Sequence, residues 1–236
     1  MTEGRTITTS EATPARTSTL RMYAVVVGVG IVCALAIVTV YETTRPIIRG
    51  NTIELRKQAI LDVLPAARAS VAFQLNEAGE FEQTSPDNMG SNLVFAGYDD
   101  DNNLVGLAIE AEGMGYQDVV RVLYGYSFEK QAIVGIRVLQ SRETPGLGDR
   151  VETDADFLRN FEALDVRLNS AGDGLAHEIE FVKPGEKRAA WHIDGISGAT
   201  ITSRAVANML RESTARWTAL VYARRADFQQ RSQQGR

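Results

Sequence analysis

The stretch from Met22 to Tyr41, MYAVVVGVGIVCALAIVTVY, carries no charge, and no other feature limits so strongly what this chain can become. As an α-helix it spans about 30 Å, the hydrocarbon thickness of a bilayer. A core helix of a soluble protein is rarely so long without a charge, so the segment reads as an uncleaved membrane anchor. Two other readings are weaker. A cleaved signal has a shorter apolar region, and although Ala34-Leu35-Ala36 imitates its cleavage site, Ile37, Val38 and Val40 carry the run past it. A lipoprotein signal ending at Cys33 needs small residues before the cysteine, where Ile31 and Val32 stand. Arg16 and Arg21 on one side balance Arg45 and Arg49 on the other, so charge alone leaves the orientation tied.

Outside this run the composition is that of a globular protein, 44% hydrophobic and 23% charged overall, which excludes collagen-like and fully disordered chains. Residues 1–20, rich in Thr, Ser, Ala and Glu with no apolar period, are expected to form a disordered tail. Three of the 25 basic and two of the 30 acidic side chains fall in residues 1–41, so the remainder is acidic and no nucleic-acid partner is expected. Cys33 is the only cysteine, so there is no intramolecular disulfide.

After the anchor, Ile53, Ile60, Leu61 and Leu64 recur at helical spacing and stop before Pro65, which predicts a stalk helix over residues 51–64. From Leu93 the period changes to two. LVFAGY (93–98), LVGLAIE (104–110), VVRVLYGY (119–126) and AIVGIRVLQ (132–140) read as antiparallel strands joined by short polar turns. A short helix is expected over Ala155–Leu164, followed by two strands, 177–183 and 189–194, paired across Pro184-Gly185-Glu186-Lys187-Arg188. A last helix begins near Thr202 or Ser203, either of which can cap it, and turns Val206, Met209, Leu210, Trp217 and Leu220 to the core. The class is α+β: an antiparallel sheet with flanking helices, preceded by one transmembrane helix.

Familiar catalytic patterns are missing. Asp99-Asp100-Asp101 lacks the alternate ligands, central Gly and closing Glu of a calcium loop and reads as a solvated turn. His177 and His192 have no third ligand at metal-binding spacing and read as structural or surface residues. Gly195-Ile196-Ser197-Gly198-Ala199 imitates a nucleophile elbow, but both histidines precede the serine, against the order of that triad. Gly113-Met114-Gly115 and Gly146-Leu147-Gly148 lack the third glycine of a dinucleotide fingerprint. No acid, base or nucleophile for catalysis is therefore assigned.

Two segments remain. Asp194-Gly195-Ile196-Ser197-Gly198-Ala199-Thr200-Ile201-Thr202-Ser203 is a strand-to-helix junction, where small residues, several hydroxyls and the positive helix end suit a phosphate; a merely capped helix after a tight turn is the alternative. Glu143-Thr144-Pro145-Gly146-Leu147-Gly148 breaks regular structure after a long strand, either as a plain loop or as one whose backbone and Leu147 contact a flat ligand.

Together the Glu-Thr-Pro-Gly-Leu-Gly loop and the Asp-Gly-x-Ser-Gly-Ala-Thr motif, about fifty residues apart, resemble the FMN-binding domain found in the G subunit of the Rnf electron-transport complex and in the C subunit of the sodium-translocating NADH:quinone reductase. The single anchor and the stalk with Leu64-Pro65-Ala66 resemble the Rnf protein. The resemblance implies FMN joined by a phosphoester bond to the side-chain oxygen of Thr200, attached by a flavin transferase that recognises Asp194, Gly195, Ser197, Gly198 and Ala199. Residues Glu143, Thr144, Pro145, Gly146, Leu147 and Gly148 would then lie beside the isoalloxazine ring. It implies an electron-carrying redox component of a translocating complex that links reduced ferredoxin and NAD to ion pumping. Its partners would be the other subunits, and its soluble domain would lie on the extracytoplasmic side of the inner membrane. The quinone-reductase protein, and a flavin-bearing sensor or accessory protein outside any pump, are the alternatives. With one cysteine, a cysteine-ligated iron–sulfur cluster is excluded. The expected organisation is a tail (1–20), the transmembrane helix (22–41), a stalk and connector (42–92), the flavin domain (93–215), and a helix end with polar tail (216–236).

Overall fold

The computed structural model describes residues 19–229 apart from positions 87, 89 and 91 and the side chain at 49; most of the expected N-terminal tail and the last seven residues lie outside this set. The chain divides into two compact units, residues 1–50 and 51–236, and helix α1 (Thr19–Val63) contributes to both.

In the first unit α1 is long and apolar enough to cross a membrane, and each of its described residues is exposed. Its hydroxyls do not depend on water. Thr39 Oγ1 donates to the Leu35 carbonyl (2.7 Å), Thr43 Oγ1 to Thr39 (2.8 Å) and Thr44 Oγ1 to Val40 (2.7 Å), which satisfies within the helix what lipid cannot.

The second unit is built on a seven-stranded antiparallel sheet in the order β2-β1-β3-β4-β5-β6-β7. Its strands are β1 (Ala69–Leu75), β2 (Phe81–Thr84), β3 (Leu93–Tyr98), β4 (Leu104–Met114), β5 (Val119–Ser127), β6 (Ala132–Gln140) and β7 (Leu164–Asp165). The four strands expected from period two are present. The expected connector also holds the β1–β2 hairpin; β2 is short and mostly exposed at the sheet edge, so little alternation marks it.

One sheet face packs against the long C-terminal helix α3 (Thr200–Ala223), whose Val206, Met209, Leu210, Trp217 and Val221 join the larger core. The other face takes the end of α1 through Ala59, Ile60, Val63 and Leu64, which pack on Phe95, Ala108 and Leu123. A glycine lane makes room for it: a Cβ at Gly97 would lie 2.8 Å from Leu64 Cδ1, one at Gly135 2.9 Å from Val63 Cα, and one at Gly125 would overlap the Val63 carbonyl. The helix expected over residues 51–64 is the end of α1, which runs from Thr19 to Val63; of its expected apolar face, Ile60 and Leu64 are buried and Leu61 is exposed.

Three expectations are corrected. The helix expected over Ala155–Leu164 stops early: α2 (Ala155–Leu158) gives way to a 3-10 turn (Arg159–Phe161), because Leu164 and Val166 must extend into the core. The strands β8 (Glu180–Val182) and β9 (His192–Asp194) do pair, but in parallel; residues 183–191 wrap back beside the pair, with Lys187 Nζ donating to Asn160 Oδ1 at 3.0 Å. Helix α3 begins at Thr200 with Ala199 at the capping position, so Thr202 and Ser203 lie inside its first turn. The helix end expected after residue 215 is present. Trp217, Val221 and, from α4 (Arg225–Gln229), Phe228 are core residues, and the Tyr98 hydroxyl donates to the Phe228 carbonyl at 2.6 Å.

Candidate functional site

The tip of the β4–β5 hairpin and the end of β6 lie at the same end of the sheet, because the three strands alternate in direction. There they meet the junction between β9 and α3, and the group that joins them is the carboxylate of Glu143. Its Oε1 accepts from the amides of Gln117 (2.9 Å) and Asp118 (3.4 Å), and its Oε2 accepts from Thr202 Oγ1 (2.7 Å). Two glycines give it space: a Cβ at Gly115 would overlap Oε1, and one at Gly148 would overlap Oε2 and lie 2.8 Å from Thr202 Oγ1. Burial works against ionisation of Glu143, but the Gln117 amide, the Thr202 hydroxyl and the Asp118 and Tyr116 amides more than offset it and hold the carboxyl below the usual glutamate range.

The rest of the loop faces outward. Leu147 N donates to the Thr144 carbonyl at 3.1 Å, closing a turn with Pro145 and Gly146 at its centre and Gly146 at φ +78°, the arrangement for which Pro-Gly is suited. Thr144 Oγ1 donates to Gln117 Oε1 at 2.8 Å, and Pro145, Gly146 and Leu147 are exposed. Met114 and Tyr116 of the hairpin and Ile201 of α3 are exposed apolar side chains on the segments that Glu143 ties together.

At the junction, Asn160 is buried and holds the end of β9 from both sides: Oδ1 accepts from Asp194 N (3.1 Å) and Nδ2 donates to Asp194 O (3.2 Å). Asp194 Oδ1 is buried without a hydrogen-bond partner among the described residues. Burial lowers the pKa of nearby Lys187 below the usual lysine range, and the Asp194 charge pulls it partly back. Gly195 is required by contact, since a Cβ there would lie 2.6 Å from the Phe181 ring. The chain then turns through Ser197 and Gly198, both exposed, with Ala199 N donating to the Ile196 carbonyl at 3.1 Å and Gly198 at φ +84°.

Thr200 is the first residue of α3 and is partly exposed; its hydroxyl lies 3.5 Å from the Ile196 carbonyl. Ala199 gives this 24-residue helix no side-chain cap, so the amides of its first turn are not satisfied by a capping side chain at its positive end. The neighbouring hydroxyls are already used: Ser203 Oγ donates to the Ala199 carbonyl at 2.9 Å, and Thr202 serves Glu143. Arg150 Nη1 donates to the Ser197 carbonyl at 2.8 Å, which puts a cation beside the turn. A helix start without a side-chain cap, a glycine turn, a cation and the hydroxyls of Ser197 and Thr200 fit a phosphate group.

The structure thus brings together the two segments singled out from sequence, and it turns Glu143 inward while its neighbours face out. Sequence reading missed Arg150, Asn160, Lys187 and the Gln117–Asp118 amides, and it took Thr202 for a helix cap rather than the partner of Glu143. Gly115, set aside for lacking a nucleotide fingerprint, was the one signal of the hairpin's part in the site. The histidines lie elsewhere in function: His177 stacks on Trp191 at 3.8 Å, and His192 Nδ1 accepts from the Arg188 amide at 3.3 Å. A hollow of about 630 Å³ lined by Leu64, Leu104, Phe128 and Arg225 lies apart from the candidate site, where the exposed Pro145, Gly146, Leu147, Ser197 and Gly198 form a surface shelf.

Residues 115–215, which contain the shelf, match the family profile of the FMN-binding domain. The C subunit of the sodium-translocating NADH-quinone reductase from Parabacteroides distasonis superposes with a TM-score of 0.58 over 73% of this chain and 94% of that one; at 21% identity the likeness is one of fold. The profile match makes this part of the chain an FMN-binding domain, and its fold is of the α+β class. The G subunit of the ion-translocating oxidoreductase complex from Escherichia coli O157:H7 is 30% identical over 162 residues, covering 67% of this chain and 72% of the relative. Its counterpart from Methanosarcina acetivorans is 27% identical over 187 residues, covering 77% and 85%. The chain belongs to the G-subunit family of the ion-translocating oxidoreductase complex.

Proposed function

We propose that this chain is a membrane-anchored, electron-carrying component of an ion-translocating oxidoreductase complex, with FMN joined through its phosphate to Thr200. Residues 22–41 act as the anchor, residues 51–64 as the stalk, and residues 69–229 as the flavin domain, broader than 93–215 because β1, β2 and α4 complete its sheet and core. The soluble part lies on the extracytoplasmic side of the inner membrane, and the other subunits of the complex deliver and remove electrons.

One observation carries the reading: of the three hydroxyls in the first turn of α3, only that of Thr200 reaches the surface, while Thr202 and Ser203 are 1% and 0% exposed and hydrogen-bonded within the chain. Gly195, Gly198 and Ala199 keep the approach low, Ser197 adds an exposed hydroxyl, and Asp194 ends the strand that Asn160 holds in place. Glu143 and Gly148 fix the loop from inside, while Thr144, Pro145, Gly146 and Leu147 offer backbone and apolar surface to a flat ring.

Attachment requires an activated phosphate, since condensation with free FMN is uphill in water. Thr200 Oγ1 bonds to the phosphorus of a flavin dinucleotide, the pyrophosphate P–O bond breaks, the nucleoside monophosphate leaves with the electron pair, and the hydroxyl proton goes to solvent. A flavin transferase supplies the catalysis. The bound FMN supplies reversible electron uptake, and the chain's residues bind and orient it.

The test is to express the chain with a flavin transferase, denature it on a gel, and look for flavin fluorescence in the band. Wild type is expected to fluoresce and Thr200→Val to be dark; a dark wild type beside a labelled control acceptor, or a fluorescent Thr200→Val, contradicts the site.

A further inference from the structure

The turn that leads into Thr200 is held by a side chain from outside its own motif. Arg150 Nη1 donates to the Ser197 carbonyl at 2.8 Å, and Nη2 pairs with Asp154 Oδ2 at 2.6 Å. Asp154 is itself fixed, because its Oδ1 caps α2 by accepting from Phe157 N at 3.1 Å. A rigid chain of contacts therefore runs from α2 through Asp154 and Arg150 to the middle of the 196–199 turn.

That point of contact matters for the turn's geometry. With the Ala199 N to Ile196 O bond closed and Gly198 at φ +84°, the turn has the type II form, which differs from type I by a flip of the peptide between residues 197 and 198. In a trans peptide the carbonyl and the following N–H point in opposite directions. With the Ser197 carbonyl held on Arg150, the Gly198 N–H is fixed toward the other side of the turn. A flip would break the Arg150 contact and reverse that donor, two residues before Thr200.

We propose that Arg150 is the positioning residue for flavin attachment: by holding the Ser197 carbonyl it locks the 196–199 turn in the form in which Thr200 accepts the phosphate. The inference rests on Thr200 being the attachment residue. Arg150 acts through the peptide it holds, and Asp154 keeps its guanidinium in place.

The experiment measures the initial rate of flavin incorporation into the full-length chain in detergent, with a purified flavin transferase and a flavin dinucleotide, below the melting temperature of every variant. Arg150→Met removes the donor, and the loss of a charge-assisted hydrogen bond is expected to slow incorporation roughly 10- to 100-fold. Arg150→Lys can still donate to the carbonyl and is expected to stay within about 5-fold of wild type. Gly198→Ala disfavours the same turn form, so Arg150→Met/Gly198→Ala should be no slower than the slower single variant. Wild-type rate in Arg150→Met, no recovery in Arg150→Lys, or multiplied losses in the double variant would each overturn the proposal, the last by making Arg150 act independently of the turn. A dark wild type beside a labelled control acceptor removes the Thr200 reading itself, whereas a fluorescent wild type with an indifferent Arg150→Met removes only the role of Arg150.

Discussion

Removing the Glu143 carboxylate should loosen three loops at once, and the cost follows from its contacts. Glu143 is 6% exposed and receives the Gln117 amide at 2.9 Å, the Asp118 amide at 3.4 Å and the Thr202 hydroxyl at 2.7 Å. In Glu143→Ala the buried Thr202 hydroxyl and the partly buried Gln117 and Asp118 amides lose their acceptor, at about 1–3 kcal/mol for a donor left unsatisfied and less where water can replace the carboxylate, so a loss of about 2–4 kcal/mol is expected. Glu143→Gln should be milder, about 1–2 kcal/mol, because its carbonyl can face the amides while its NH₂ donates to Thr202 Oγ1. Thr202→Val should cost about 2 kcal/mol, and the double variant Glu143→Ala/Thr202→Val should fall short of the summed losses by at least about 1 kcal/mol, since both remove one bond. Urea unfolding of the full chain in detergent, followed by tryptophan fluorescence, gives these values. The carboxyl titrates lower in the folded state than when unfolded, so its contribution is complete above the usual glutamate pKa and is lost as pH falls through the lower folded value. Glu143→Gln should lack that acid-sensitive part. A Glu143→Ala variant within about 1 kcal/mol of wild type, or strict additivity with Thr202→Val, would refute the reasoning.

Three further outcomes follow from contacts elsewhere. Gly148→Ala, whose Cβ would overlap Glu143 Oε2, should destabilise the second unit by about 1–3 kcal/mol in the same urea assay, and Glu143→Ala should relieve part of that loss. Gly125→Val would push a side chain into the Val63 carbonyl, so limited proteolysis near residues 51–64 should become faster while the reverse face, with Trp217, keeps its fluorescence. Asn160→Ala frees both sides of Asp194 and removes the Lys187 acceptor; it should cost about 2–3 kcal/mol and slow flavin incorporation.

How far the sequence can be read depends on whether a segment's neighbours are visible in its own pattern. Strands β3 to β5 are legible because one face meets α3 and the other meets the end of α1, so they read as nearly continuous apolar, β-branched and aromatic runs. Edge strand β2 has no such pressure and leaves no periodic signal. The glycines at 97, 106, 125 and 135 look like interruptions, yet they are the lane that lets Val63 and Leu64 approach the sheet; the seam exists only once four strands are side by side. The parallel pairing of β8 and β9 is hidden because a short Pro-Gly connection usually marks a hairpin, and nothing local shows that residues 183–191 double back beside the pair. At the site, Thr200 and its small neighbours are legible since a strand-to-helix junction of small residues is itself a signal. The inward turn of Glu143 is not, because its partners come from residues 117, 118 and 202. Arg150 escapes notice for the same reason: its partner, the Ser197 carbonyl, is 47 positions away.

The central claim is that Thr200 carries the flavin, and peptide mass spectrometry tests it most directly. After co-expression with a flavin transferase, tryptic cleavage behind Arg188 and Arg204 releases residues 189–204, which contain four hydroxyl side chains: Ser197, Thr200, Thr202 and Ser203. The peptide is predicted to gain the mass of FMN less one water, with fragmentation placing it on Thr200. An unmodified peptide, or the same mass on Ser197, would contradict the account.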